Sequence, residues 1–147
     1  MPGTATTLPP EETERLQALG YRLTEPRRAI IAALRDAGRF CTATQLHERI
    51  VARDVGLASV YRTLELLAEI GLAERRAEIG GEASFLYCSR RHHHHVICTS
   101  CGTVREIDAA FCPGAETTRA VEAATDFRIA RHTLDFHGLC ADCRSER

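Results

Sequence analysis

The sequence predicts an α+β fold with two domains that meet near Gly80-Gly81. Before this glycine pair, apolar residues recur at the spacing of amphipathic helices. After it come a run of four histidines and two Cys-x-x-Cys pairs, which are typical of metal sites. A chain of 147 residues has room for one ordinary domain or two very small ones. We therefore expect one domain over residues 1–82 and a second, metal-binding domain over residues 83–147.

Helix start signals recur through the first domain. A first helix is predicted over residues 11–19, and a second follows Thr24 as its N-cap with Pro26 in its first turn. Thr42 followed by Gln45 is the capping-box pattern, and it opens a third helix. Each of these signals suits the start of a helix, where the first backbone N–H groups have no partner within the helix.

A fourth helix, over about residues 58–70, is followed by a predicted β-hairpin. Residues 72–79 and 83–87 form its strands, and the two-glycine loop between them suits a primed turn. The second, third and fourth helices followed by the hairpin have the order of a winged helix-turn-helix, in which three short helices precede a hairpin. The last helix of such a domain enters the DNA major groove. Many small α+β domains share this order, so by itself it does not establish DNA binding.

Composition favours a cytoplasmic protein. No apolar run approaches the roughly 18 residues that span a bilayer, and the first ten residues lack the basic start and apolar core of a signal peptide. Cytoplasmic thiols stay reduced, so the seven cysteines are not expected to form disulfides, and those that occur in pairs are expected to bind metal. The formal net charge of -1 decides nothing about nucleic acid, because the clustering of positive charge matters more than its total.

Two Cys-x-x-Cys pairs predict a structural zinc site. Cys98 and Cys101 form the first pair, and Cys140 and Cys143 form the second. Four thiolates complete a closed tetrahedral shell around one Zn²⁺ ion. The long gap requires a strand and a helix to fold between the pairs, so the ion would pin the C-terminal end onto the sheet. The alternative is two separate buried or redox-active pairs.

The histidine run predicts ligands for two further sites. Val96 and Ile97 follow it directly and are typical of a strand, so the histidines are expected to enter that strand. Alternation along a strand then points His93 and His95 to one face and the two others to the opposite face. The alternative is a solvated histidine patch that binds metal only adventitiously.

Cys88 is predicted to join His93 and His95 around a sensory ion, with Glu74 or Glu106 as the fourth ligand. One sulfur, two nitrogens and one carboxylate suit Zn²⁺ better than Fe²⁺ or Mn²⁺, which favour harder ligands. Glu74 would tie metal occupancy to the position of the helical domain, whereas Glu106 would not. Two other single cysteines are expected to be small, buried apolar residues, namely Cys41 and Cys112.

Several motifs in fixed order resemble the ferric uptake regulator (Fur) family. The resemblance covers about residues 12–144. It implies a homodimer with a winged-helix domain and an α/β dimerisation domain, which binds palindromic operator DNA and represses metal-uptake genes when metal is plentiful. It also implies two or three zinc ions per chain. The motifs are those at residues 20–27, residues 56–64, Gly80-Gly81, residues 92–102 and the terminal Cys-x-x-Cys.

Within the family, the sequence is most similar to the zinc uptake regulator (Zur) branch. Iron and peroxide sensors typically have a histidine before the third helix, where this chain has Phe40. They also have a carboxylate shortly before the histidine run, where this chain has Leu86. Zinc sensors have a cysteine there, as Cys88 is, and an acidic residue that matches Glu74. The resemblance therefore favours zinc, with an iron-, manganese- or peroxide-sensing regulator as the alternative.

The resemblance also assigns an additional metal site and a DNA-binding set. The segment over residues 111–115 is longer than the family pattern, and it precedes one of the implied ligands. Hydroxyl and Arg groups at the start of a recognition helix can hold phosphate, and a Tyr ring can touch a thymine methyl. The implied metal ligands are His92, His94, Glu116 and His132. The implied DNA-binding residues are Arg22, Ser59, Tyr61 and Arg62.

Two other classes of protein would also carry clustered Cys and His residues. A zinc hydrolase or nucleobase deaminase needs an open coordination position and a glutamate, in strings such as H-E-x-x-H or H-x-E with P-C-x-x-C. None of these strings occurs in the sequence. A zinc store would explain the ligands but not the capped helices. We therefore expect a non-enzymatic regulator with no small organic substrate and no membrane association.

Overall fold

The computed structural model describes residues 8–50, 54–77, 81–88 and 92–145. The chain divides into two compact units, Met1–Ser89 and Arg90–Arg147. The sequence pattern placed the domain boundary after residue 82, and this placement stays a prediction. The second hairpin strand pairs with strands of the first unit on both of its sides.

Among its described residues, the N-terminal unit is formed mostly by four helices. The second begins after Thr24, which makes no side-chain cap bond, and ends at Gly38 in the left-handed conformation that favours glycine. The predicted capping box opens the third, because Thr42 N–H donates to Gln45 Oε1 at 3.0 Å and Gln45 N–H donates to Thr42 Oγ1 at 3.2 Å. The helices are α1 (Pro10–Ala18), α2 (Glu25–Ala37), α3 (Ala43–Ile50) and α4 (Leu57–Glu69).

A three-stranded antiparallel sheet completes this unit. Its strands are β1 (Cys41–Thr42), β2 (Ala73–Ala77) and β3 (Ala83–Tyr87), in the order β1-β3-β2. The hairpin was predicted, whereas the short strand β1 was not. Phe85 of β3 is fully buried with side chains from α2, α3 and α4, so the hairpin and the helices share one apolar core. Cys41 is 1% exposed, as expected for a small core residue.

The C-terminal unit is built on a second three-stranded sheet. Strand β4 (His93–Cys98) lies between β5 (Val104–Asp108) and β6 (Asp135–Gly138). β4 pairs antiparallel with β5 and parallel with β6. A parallel pair needs a crossover connection, and α5 (Ala115–Thr125) lies in that connection. A short helix, α6 (Ala141–Ser145), follows β6.

The observed architecture confirms the predicted α+β class, with a winged helix-turn-helix unit followed by an α/β unit. Within the described ranges, none of the helices combines the length and the apolar character needed to cross a membrane.

Candidate metal centres and DNA-binding surface

The structure brings the four cysteines of the Cys-x-x-Cys pairs together. Parallel pairing aligns Cys98 with Gly138, so the end of β4 lies beside the end of β6. Beyond these strand ends lie Cys101 and Cys140, whose sulfur atoms are 3.8 Å apart. All four sulfur atoms, including that of Cys143, lie within 4.8 Å of one another. This spacing suits four ligands that share one ion.

Backbone and side-chain donors favour the thiolate form of two of these cysteines, Cys98 and Cys101. The backbone N–H of Cys101, then that of Cys140, lowers the pKa of Cys98 to about 6. The hydroxyl of Thr103 lowers the pKa of Cys101. The Ser100 hydroxyl favours a Cys143 thiolate, but Cys140, desolvation and the other thiols outweigh it and raise the Cys143 pKa to about 12. Four thiols this close ionise together only around a cation, so the donor set fits Zn²⁺.

A second cluster lies on one face of β4. It contains His92, His94, Cys112 and His132, whose ligand atoms all lie within 4.8 Å of one another. The sulfur of Cys112 is 2.9 Å from Nε2 of His132 and 3.4 Å from Nε2 of His92. His94 is 1% exposed, and burial together with His92 and His132 lowers its pKa. A neutral imidazole is the form that binds metals.

Two residues near this cluster lie differently from what the sequence led us to expect. Cys112 was expected to be a buried apolar residue, but it is partly exposed and its sulfur contacts two histidines. Glu116, the fourth ligand implied by the family resemblance, lies exposed in the first turn of α5 and is not part of the cluster. The cause is a 3-10 turn over Ala109–Phe111, capped by Asp108, after which the chain presents Cys112 to the histidines. The position of Cys112 in the lengthened segment, residues 111–115, was the signal in the sequence that could have identified it as a ligand.

His93 and His95 are the two histidines of the run that alternate with His92 and His94 along the chain. Their Nε2 atoms are 3.0 Å apart, and His95 is 2% exposed. Nδ1 of His95 lies 3.4 Å from Oδ1 of Asp135 on the neighbouring strand. A carboxylate on the far nitrogen orients the ring and leaves Nε2 for a metal. Glu106 is opposite His95 in the β4–β5 register, yet it belongs to none of the candidate ligand clusters of the described residues.

Glu74 and Cys88 lie near each other on the N-terminal unit's sheet. Glu74 is paired with Leu86 in the β2–β3 register, and Cys88 is two residues beyond Leu86. Side chains two residues apart on a strand share a face, so Cys88 is on the same face as Glu74. Cys88 is 3% exposed, and its N–H donates to the Leu72 carbonyl at 3.0 Å. Glu74 accepts a hydrogen bond from Arg76 at 2.8 Å.

The start of α4 exposes two of the predicted DNA-binding residues to solvent, Tyr61 and Arg62. Val60 is fully buried, whereas Tyr61 is 37% exposed and Arg62 is also exposed. This arrangement excludes a core role for Tyr61. Nη2 of Arg62 donates to Oγ of Ser59 at 3.3 Å, so both groups point along the same surface. Arg22, before α2, is exposed and its carbonyl accepts a hydrogen bond from Arg27.

An acidic residue contacts this surface, and sequence reasoning missed it. Glu82 accepts hydrogen bonds from the hydroxyls of Tyr61 and Thr44, each at 3.0 Å. The hydrogen bond to Glu82 raises the pKa of Tyr61, and the same bond lowers the pKa of Glu82. The contact joins the hairpin to α3 and α4 over a long sequence separation, so no local pattern indicates it.

A winged-helix unit followed by a unit with clustered Cys and His ligands defines a metal-binding protein of the winged-helix class. The sequence model of the Ferric uptake regulator family matches residues 18–137. The chain belongs to the ferric uptake regulator family.

Relatives in this family regulate the uptake of different metals. The zinc uptake regulation protein of Mycobacterium tuberculosis is 37% identical over 134 residues, which cover 88% of this chain and 100% of the relative. The ferric uptake regulation protein of Escherichia coli (strain K12) is 31% identical over 136 residues, which cover 89% of this chain and 90% of the relative.

Solved structures show the same fold. A zinc uptake regulator complexed with zinc and DNA superposes with a TM-score of 0.68 at 23% identity, covering 92% of each chain. The Vibrio cholerae ferric uptake regulator superposes with a TM-score of 0.60 at 26% identity, covering 88% of this chain and 99% of that one.

Proposed function

We propose that the chain is a zinc-responsive transcriptional repressor of metal-uptake genes. It binds palindromic operator DNA in the cytoplasm as a homodimer when loaded with metal, and it is a regulator rather than an enzyme. Membership of the ferric uptake regulator family supports a metal-dependent regulator, and the zinc uptake regulation protein of M. tuberculosis supports zinc. The observation that carries the choice of zinc is the buried thiol of Cys88, two residues beyond the partner of Glu74 in the register of the sheet.

The structural zinc ion is assigned to Cys98, Cys101, Cys140 and Cys143. Four sulfur atoms within 4.8 Å of one another supply a complete tetrahedral shell and leave no open coordination position. A closed shell supports folding and not hydrolysis, so this cluster argues against the zinc-dependent hydrolase or deaminase considered above.

The regulatory zinc ion is assigned to Glu74, Cys88, His93 and His95. A thiolate, two imidazoles and one carboxylate suit Zn²⁺ better than Fe²⁺ or Mn²⁺, which prefer harder donors. Two of the ligands belong to each unit, so binding of one ion restricts both units together. Metal binding orders the two units before DNA binds, so operator binding no longer has to supply the entropic cost of ordering them. Metal binding and operator binding therefore strengthen each other.

Operator contacts are assigned to Arg22, Ser59, Tyr61 and Arg62. Tyr61 and Arg62 are exposed at the start of α4, the helix that a winged helix-turn-helix places in the major groove. An Arg side chain there can reach a guanine edge or a phosphate, and the Tyr61 ring can contact a thymine methyl.

Apolar side chains on the C-terminal unit support a homodimer. Val121, Phe127 and Phe136 are 43%, 74% and 46% exposed, and α5 buries no residue within its own chain. β6 lies at an edge of its sheet, with backbone groups available for pairing. A second copy would cover this surface and match the two-fold symmetry of a palindromic operator. Phe127→Asp should therefore yield a monomer in sedimentation-velocity centrifugation, whereas Arg128→Ala should stay dimeric.

Zinc-dependent operator binding tests the proposal. Fluorescence anisotropy with a palindromic duplex is measured in zinc buffers for the parent chain, Cys88→Ser, Glu74→Ala and Glu106→Ala. We expect Cys88→Ser and Glu74→Ala to keep the structural zinc but lose the response, while Glu106→Ala responds as the parent does. Zinc should tighten operator binding by a factor in the range of roughly 5–150-fold, and thermodynamic reciprocity requires operator DNA to tighten zinc binding by that same factor.

Three outcomes would overturn parts of this assignment. A Cys88→Ser variant with the parental zinc response would place the sensor elsewhere in the chain. Loss of the response in Glu106→Ala but not in Glu74→Ala would make Glu106 the carboxylate ligand. If Fe²⁺ or Mn²⁺ promoted DNA binding at concentrations where Zn²⁺ did not, the family alternative of an iron or manganese regulator would replace zinc.

A further inference from the structure

A buried histidine marks the cluster of His92, His94, Cys112 and His132 on one face of β4. His94 is 1% exposed, and neither of its ring nitrogens has a hydrogen-bond partner among the described residues. A buried polar side chain normally finds a partner, so a group with none calls for an explanation. Three other donors surround it within 4.8 Å, and one of them is a thiol.

We propose that Cys112 is the fourth ligand of a Cys-His₃ site with His92, His94 and His132, and that this site takes Zn²⁺. The proposal deepens the proposed function, on which it rests, because it assigns the ligand chemistry of the additional metal site. It replaces a carboxylate with a thiolate at that site. Glu116, exposed on α5, is then outside the coordination shell.

The spacing of the donors fits a tetrahedral ion. Zn–N bonds of about 2.0–2.1 Å and Zn–S bonds of about 2.3 Å place neighbouring ligand atoms roughly 3.3–3.6 Å apart around a tetrahedron. The sulfur of Cys112 lies 2.9 Å from His132 Nε2 and 3.4 Å from His92 Nε2. Small side-chain rotations therefore suffice to reach coordination distances.

Separate elements hold these ligands in place. Strand alternation presents His94 to this face of β4. The chain after the 3-10 turn supplies Cys112, and the segment before β6 supplies His132, whose ring stacks on that of His94 at 5.4 Å between centroids. The four donors thus come from three segments of the same unit, and an ion among them would join these segments.

The identity of the fourth donor decides which ion the site prefers. A set of three imidazoles and one carboxylate also accommodates Mn²⁺ and Fe²⁺, whereas a thiolate shifts the preference toward Zn²⁺ and Co²⁺. We therefore expect this site to discriminate against Mn²⁺. Four protein ligands also leave no open position, so the site would be structural or regulatory rather than catalytic.

Cobalt spectroscopy tests the assignment. The probe is Co²⁺ added to a Cys88→Ser variant that retains its structural zinc, so that the thiolate of the proposed sensory site is absent. We expect one Co²⁺ ion with tetrahedral visible bands and a near-ultraviolet sulfur-to-cobalt charge-transfer band. Zinc should displace it, and Mn²⁺ at the same concentration should not. Zinc content measured in parallel shows that the four-cysteine site keeps its ion.

Two further variants in the same background separate the candidate ligands. Cys88→Ser/Cys112→Ser should lose the charge-transfer band and bind Co²⁺ at least about tenfold more weakly, while Cys88→Ser/Glu116→Gln should keep both band and affinity. If the Cys112 variant does not fold, alkylation of the parent chain decides the question. Zn²⁺ should then protect Cys112 from iodoacetamide, as read by peptide mass mapping.

The opposite results would overturn the proposal. Co²⁺ bound without a sulfur band in Cys88→Ser, or alkylation of Cys112 at the same rate with and without Zn²⁺, would show that its sulfur only hydrogen-bonds to the histidines. Loss of Co²⁺ affinity in the Glu116 variant would restore the carboxylate site. The cobalt and alkylation measurements report only on the ligands of this site. The proposed function is tested separately, by the zinc dependence of operator binding in Cys88→Ser, so the two can fail independently.

Discussion

The N-terminal unit and the C-terminal unit bury different kinds of side chain. In the former, the buried side chains are mostly aliphatic or aromatic and form one core around Phe85. In residues 92–145 of the latter, the buried residues are His94, His95, Cys98 and Val104. Three of these four are candidate metal ligands. The comparison indicates that apolar burial stabilises the first unit. For the second unit, the proposed function predicts that metal binding and a partner subunit supply the stability that its few buried apolar residues do not.

The largest effect is expected on removal of a ligand from the four-cysteine cluster. Cys143→Ser leaves an incomplete shell and forfeits several kcal/mol of binding-linked folding energy, so the C-terminal unit should unfold or aggregate. Hydrogen exchange with mass spectrometry should show fast exchange in β4 to β6 and protected amides in α2 to α4. Asp142→Ala, an exposed position between two ligands, is the control. A zinc-free variant with normal protection in both units would contradict the comparison.

A cavity in the apolar core should have the converse effect. Phe85→Ala removes a fully buried ring, and it should destabilise the N-terminal unit by about 3–5 kcal/mol. The zinc of the four-cysteine cluster should stay bound, because none of its four ligands lies in that unit. Urea unfolding followed by circular dichroism measures the loss, and Leu57→Ala, at 37% exposure, should shift stability by no more than about 0.5 kcal/mol. Loss of zinc from the four-cysteine cluster in Phe85→Ala would show that the stability of the C-terminal unit depends on the N-terminal unit.

Substitutions on the exposed start of α4 should separate DNA binding from metal binding. Arg62→Ala and Tyr61→Ala should each weaken specific operator binding by about 1–3 kcal/mol, because they remove base-edge contacts. The dimer and its zinc content should be unchanged. Glu69→Ala, at the far end of the same helix, should bind as the parent does. Normal footprints from both variants would mean that α4 is not the recognition helix.

The smallest effect is expected at Glu82. Glu82→Gln removes a negative charge that contacts Tyr61, so operator binding should tighten a few-fold and depend more steeply on salt. The same change should lower the raised pKa of Tyr61 toward its ordinary value, because the carboxylate hydrogen bond is the main cause of the shift. Difference spectroscopy of tyrosine ionisation measures this directly. Weaker operator binding in Glu82→Gln would instead mean that Glu82 positions Tyr61 for DNA.

Local sequence patterns determined much of this protein. The capping box of Thr42 and Gln45, the glycine end of α2 at Gly38 and the alternation of the histidines on β4 each depend on residues a few positions apart. Such patterns act through backbone geometry that is the same in any fold, so they could be interpreted without knowledge of tertiary contacts. The two Cys-x-x-Cys pairs were predictable for the same reason, because each pair is itself local.

Tertiary structure alone decided which distant residues meet. The parallel pairing of β4 with β6 sets Cys140 beside Cys101, and a capped turn after β5 brings Cys112, rather than Glu116, to the histidines. The pairing of β3 with β1 joins the hairpin to the helical part of the first unit. The hairpin also brings the Glu82 carboxylate within hydrogen-bonding distance of the Tyr61 hydroxyl. These contacts depend on strand register and on the paths of connecting segments. Neither leaves a periodic signal in the sequence, because the free energy that selects them comes from packing and pairing between residues far apart in the chain.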